Sequence, residues 1–256
     1  MAYIGSAPTA VPLTSSDMDD GIISTAKLAD NAVSLAKMAS GTDGNIITYD
    51  ASGDPAFAVT GTSGQVLTSG GAGVAPTFAT ASGGAWTYIS TATASASASV
   101  VFTSGLDSTY DQYVIVFTSV VPASDSQNFM FKVSDDAGST YEATNYDFFL
   151  VKGHSGNGTI ETEAGPGATA VKLHAFVGNA SGEGCSGLIH INNPSNSSLF
   201  TMFHWKGVGT DNTPETRMGD GVGSWNTTTA VDAVQFAFAS GNITSGTFRL
   251  YGINNS

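Results

Sequence analysis

Large apolar side chains are spread so unevenly along this chain that a single uniform body is excluded. Of 25 aromatic residues, only Tyr3, Tyr49, Phe57 and Phe78 precede residue 85; the other 21, with all three tryptophans, follow it. Fixing the backbone costs about 1–2 kcal/mol per residue, and burial of apolar surface is the main term that offsets it. Residues 85–256 carry enough bulk for a core of their own. Residues 1–84 do not, so they are expected to order only against partners or against copies of the same chain.

Composition narrows the fold class. Charged residues make up 11% of the chain, against about 25% in ordinary globular proteins, and Gly, Ala, Ser and Thr fill nearly half of it. Long exposed helices need Glu, Lys and Arg on their wet face, so a mainly β fold is expected. A net charge of −13 with no run of Lys or Arg repels phosphates, so no nucleic-acid partner is expected. The apolar run Val114-Ile115-Val116-Phe117 is far shorter than the roughly 20 residues of a membrane helix, and no membrane insertion is expected. No basic-then-apolar signal opens the sequence, which points to synthesis in the cytoplasm. Cys185 is the single cysteine, so no intrachain disulfide can form.

The N-terminal part contains two repeats of different period. Ile23-Ser24-Thr25-Ala26-Lys27-Leu28-Ala29 returns as Val33-Ser34-Leu35-Ala36-Lys37-Met38-Ala39, ten residues on. Its five-residue apolar spacing fits neither a clean helix nor a strand, and a short helix and a solvated linker both remain open. Gly41-Thr42-Asp43-Gly44-Asn45-Ile46-Ile47-Thr48 returns as Gly61-Thr62-Ser63-Gly64-Gln65-Val66-Leu67-Thr68, twenty residues on. The match continues from Asp54-Pro55-Ala56-Phe57-Ala58 to Ala75-Pro76-Thr77-Phe78-Ala79. Each unit reads as a short strand, a glycine-rich turn, a proline and a second strand. One such hairpin buries too little to stand alone, whereas several chains wrapped about an axis enclose its apolar positions. The expected divisions are a docking segment at 1–40, short helical or extended, two hairpin repeats with a Gly-rich linker at 41–84, and a large domain at 85–256.

Strand patterns crowd that large domain, at 113–117, 129–133, 146–151, 171–177, 188–191, 199–205, 234–238 and 247–253. They predict an antiparallel β-sandwich, jelly-roll-like. Alternation in Phe129-Met130-Phe131-Lys132-Val133 and Gln235-Phe236-Ala237-Phe238 marks sheets with one buried face. Ser134 to Ser139 reads as the turn between two of these strands.

No phosphate loop, His-Glu-x-x-His array or nucleophile elbow is present, and Gly153-His154-Ser155-Gly156-Asn157 reads as a glycine-rich loop. Glu161 and Glu163 would share a face of a strand, a weak condition for acid/base work on a glycoside that solvated rim charges meet equally. His154, His174, His190 and His204 lie on separate predicted strands without metal spacing, and Asp135 and Asp136 before Gly138 lack the pattern of a calcium loop. No cofactor and no metal are expected. Aromatic rings near apparent loops, Tyr141, Tyr146, Trp205 and Trp225, are candidate stacking platforms for sugar rings. Trp225 leads them, being apolar within Gly221-Val222-Gly223-Ser224-Trp225-Asn226-Thr227.

The opening Met1-Ala2-Tyr3-Ile4-Gly5-Ser6-Ala7-Pro8, the repeat Thr25-Ala26-Lys27-Leu28-Ala29-Asp30-Asn31-Ala32-Val33 and the unit from Gly61 to Phe78 resemble tail-fibre-type proteins of tailed bacteriophages, especially marine ones. That resemblance covers residues 1 to about 80. The large domain is similar to the terminal β-sandwich of such fibres through Asp135-Asp136-Ala137-Gly138-Ser139-Thr140-Tyr141 and the closing stretch from Ile243 to Ile253. The resemblance implies a homotrimeric virion appendage. Its N-terminal segment would dock on other phage tail or virion proteins, and its C-terminal domain would bind a host surface glycan or an outer-membrane protein. A head fibre or capsid decoration subunit without a receptor is the alternative, and a glycan depolymerase using Glu161 and Glu163 is a third reading. No catalytic motif of the family matches these residues, so none is carried over.

Overall fold

A computed structural model describes residues 43–254 apart from 54, 82, 83 and 214, together with a few isolated positions before 43. The ten-residue repeat and the docking segment expected at 1–40 lie almost wholly outside the described residues. The described residues are mainly β with almost no helix, and the contacts of the chain divide it into Met1–Ala81 and Ser82–Ser256.

The first unit contains β1 (Ile46–Tyr49), β2 (Pro55–Ala58), β3 (Gln65–Thr68) and β4 (Thr77–Thr80). They form two separate antiparallel hairpins, β1 with β2 and β3 with β4. Equivalent residues of the two repeats hold equivalent registers. Ile47 faces Phe57 in the first, and Leu67 faces Phe78 in the second. The repeated Gly44 and Gly64 both take positive φ, 84° and 88°, where a side chain would be strained. Among the described residues neither hairpin has a second layer: Ile47, Phe57 and Leu67 stay 49%, 51% and 45% exposed.

The second unit contains twelve strands. They are β5 (Trp86–Ser97), β6 (Val100–Phe102), β7 (Gln112–Pro122), β8 (Gln127–Ser134), β9 (Tyr146–His154), β10 (Thr159–Ala164), β11 (Val171–Val177), β12 (Gly184–Asn192), β13 (Thr201–Thr210), β14 (Thr216–Trp225), β15 (Ala233–Phe238) and β16 (Ile243–Ile253). Eight lie in one sheet in the order β10-β9-β14-β13-β12-β7-β16-β5, and four in another in the order β11-β8-β15-β6. Every pairing is antiparallel. The strands thus divide eight to four rather than evenly.

Phenylalanines interdigitate between the sheets. Phe117 of the large sheet meets Phe129 of the small one at 5.2 Å, Phe236 meets Phe248 at 5.1 Å, and Phe131 meets Phe203 at 5.1 Å, in tilted and edge-on geometries. Such pairs add about 0.5–1.5 kcal/mol each to the burial of their area. Beside them the inner faces of β13 and β14 carry glycines, and β11 comes down onto their backbone. A Cβ at Gly219 would sit 2.7 Å from the Leu173 carbonyl oxygen and 2.9 Å from the His174 ring. The turn at Ser134 to Ser139 opens the connection from β8 in the small sheet to β9, which begins at Tyr146 in the large one, so it lies at a corner between the sheets.

Candidate functional site

Three of the four aromatic residues expected to stack on sugars are not available as a platform. Tyr146, Trp205 and Trp225 are buried in the core. Tyr146 Oη donates to the Glu142 carbonyl and accepts from Val133 N at 2.8 Å; Trp205 Nε1 donates to the Leu173 carbonyl oxygen at 3.0 Å. Trp225 pairs with Thr201 on one side and Tyr146 on the other, and its ring points inward while its polar neighbours face out. Tyr141 is half-buried and its hydroxyl oxygen is covered. Tyr146, Trp205 and Trp225 are thus packing residues rather than exposed ligand contacts.

One group of charged side chains collects at an open edge of the sandwich. Lys152 lies between Glu161 and Glu163, at 3.4 Å from each, and Lys172 also pairs with Glu163. Burial alone would raise the pKa of Glu163, but the hydrogen bonds and charges of Lys172 and Lys152 outweigh it and hold the carboxyl below its usual range. Glu163 is therefore ionised at neutral pH, the opposite of what a general acid requires. Lys152 and Arg217 also lie over the Phe176 ring, at 5.9 Å and 5.2 Å.

His154, Asp211 and Glu215 bring three ligand-type atoms within 4.8 Å of one another. Arg217 Nε, however, donates to Asp211 Oδ2 at 2.6 Å, and Asp211 Oδ1 accepts from Thr213 N, Thr213 Oγ1 and Glu215 N. A dication would have to displace the guanidinium, so the group reads as a hydrogen-bonded clamp that ties the β13–β14 connection to the end of β9. Burial would raise the pKa of Asp211; the bonds from Thr213 and Arg217 outweigh this and hold it well below the usual carboxylate range. Asp136 in the inter-sheet corner is likewise occupied, accepting from Thr140 N, Thr140 Oγ1 and Ser134 Oγ. These bonds account for the turn without calcium. His174 is buried, with Nδ1 3.0 Å from the Ala175 carbonyl oxygen, and desolvation lowers its pKa.

A further surface open to another molecule is the outer face of the eight-stranded sheet. A single row of register partners crosses all eight strands: Tyr88, Tyr251, Val114, His190, His204, Val222, Phe149 and Ala164. Trp86 joins one end, 5.7 Å from Tyr251 and 6.3 Å from His190. His190 and His204 stack in parallel at 4.2 Å. Desolvation, and then the charge of His204, lower the pKa of His190. Two adjoining grooves of about 680 and 550 Å³ flank the row, and both are lined by Phe149, His204 and Val222.

No protein-family model, curated protein or solved structure matches the chain. Reading along the sequence missed the outer row because its members are alternate residues scattered over eight strands. Its one legible signal was His190 and His204, each mid-strand on either side of a single polar turn.

Proposed function

We propose that this chain is a subunit of a homotrimeric virion appendage of the tail-fibre type, a binding and structural protein rather than a catalyst. The observation that carries this reading is the pair of equivalent hairpins, with Ile47 and Phe57 in one and Leu67 and Phe78 in the other brought to the same cross-strand positions. Three of these four are about half exposed in one chain. Sister chains wrapped about a common axis would cover them, and the twenty-residue spacing lets each repeat add one layer to a shaft. The resemblance at residues 1–80 supports the same arrangement, with the N-terminal segment docked on other virion proteins and the sandwich domain presented to a host surface glycan or outer-membrane protein. Several copies on one particle would raise weak contacts by about 10² to 10⁴ in avidity.

One observation favours the purely architectural version, a head fibre or decoration subunit. Three of the four aromatic residues expected to meet a sugar are core residues. Deleting the gene and measuring adsorption of the particles separates the two. Loss of adsorption with intact particles supports attachment, and unchanged adsorption supports decoration. Sedimentation of the intact protein tests the trimer common to both.

A further inference from the structure

Resting on the assembly proposed above, we propose that the outer face of the eight-stranded sheet is a second contact between copies of this chain, buried against the sandwich domain of a sister subunit. Trp86, Tyr88, Phe149, Met202, Val208 and Val222 share this face and are 41%, 57%, 45%, 54%, 52% and 57% exposed. Taking about 150–250 Å² for each full aromatic side chain and less for Met and Val, these six present on the order of 500 Å² of largely apolar surface. That is in the upper part of the range for the largest patch on a typical monomer, about 300–600 Å². With the half-buried Tyr251, Leu188 and Val116 beside them, the patch approaches the roughly 800 Å² that each partner of a standard interface contributes.

Charge on this face permits a copy of this chain as the occupant. With a net charge of −13, copies repel one another over most of their surface. On this face the charged side chains balance: Arg249 and Lys206 stand against Asp147 and Asp220, and Lys206 Nζ lies 3.9 Å from Asp220. This is a neutral, apolar, nearly continuous sheet face, where two like-charged bodies can meet at little electrostatic cost. A glycan fits less well. Its hydroxyls need several convergent polar partners, and the larger groove offers mainly Asp147, Asn192, His204 and Ser224 among apolar walls, with Asp147 already taken by Gly167 N and Asn226 Nδ2.

Hydroxyl-radical footprinting of the full-length protein at the concentration where it is assembled tests this. Phe176 serves as the control, being 40% exposed at the charged edge and off the face. We expect Met202, Trp86 and Tyr88 to label at least fivefold more slowly than their exposure in one chain sets relative to Phe176. Full labelling of the face in a trimer overturns this inference and leaves the shaft reading standing. A monomer overturns both. A variant carrying Ile47→Asp and Leu67→Asp that stays assembled with the face protected upholds this contact and overturns the shaft reading. Protection that arises only after bacterial lipopolysaccharide micelles are added makes a glycan the occupant and overturns the proposal.

Discussion

Phe57 in β2 and Phe117 in β7 both sit mid-strand in antiparallel pairs, yet the first is half exposed and the second is fully buried. The difference lies in the layer above. Phe117 meets Phe129, Phe236 and Phe248 from a second sheet and a neighbouring strand, whereas Phe57 belongs to a two-stranded sheet. Strand pairing satisfies the backbone in both regions, but only a second apolar layer offsets the entropy of ordering. The sandwich domain supplies that layer itself, and among the described residues no such layer covers the hairpins.

The sharpest way to break this contrast is to remove bulk from the self-supplied layer. Phe236→Ala leaves a cavity among Phe117, Phe129, Phe131 and Phe248 and is expected to cost about 3–5 kcal/mol in denaturant unfolding of the sandwich domain. A loss below 1 kcal/mol would mean that the two sheets are not one packed core. Asp211→Asn strands Arg217 and frees the β13–β14 connection. The expected loss is about 3 kcal/mol, the low end for breaking a buried pair, because Arg217 keeps some contact with water.

Acid should act on the sandwich domain in the same direction. His174 and His190 have lowered pKa values in the fold, so below about pH 6.5 the unfolded chain binds protons that the folded one refuses. Stability is expected to fall as pH drops through that value. It should fall further near pH 4 and below, where Asp107, Asp136, Glu163 and Asp211, all held low, lose their advantage on protonation. Unfolding midpoints at pH 8, 6, 5 and 4 check the trend, and a rise between pH 7 and 5 would refute it.

The smallest effect on the sandwich domain should come from the hairpins. Phe57→Ala with Phe78→Ala is expected to shift the unfolding of that domain by less than about 0.5 kcal/mol, as for surface changes, while weakening assembly. Cys185 gives an independent reading of the same domain. It is buried, and desolvation pushes its thiol pKa up, so a thiol reagent should label it only as the domain unfolds.

The sequence carries the sandwich where bulk alternates. Strands β8 and β15 are plain in the Phe-x-Phe pattern, and β11 runs from Val171 to Val177 as the apolar residues imply. It hides strands made of small or charged residues. Trp86–Ser97, Thr159–Ala164 and Thr216–Trp225 offer little apolar alternation, and their partners supply the bulk instead: Gly221 leaves the space that the Trp205 ring fills. Trp225 misleads for the same reason. Its polar flanks read as surface, although inward and outward residues alternate there as in any strand of a sheet with one buried face. The outer row from Tyr88 to Ala164 depends on seven registers at once, and no local pattern encodes it.

The most direct test of the contrast between the two regions is the mass of the intact protein in solution, combined with limited proteolysis of residues 43–81. Three copies with that segment protected, becoming cleavable when dilution or hairpin substitutions dissociate them, is the expected result. A single copy in which the same segment resists the protease would contradict it.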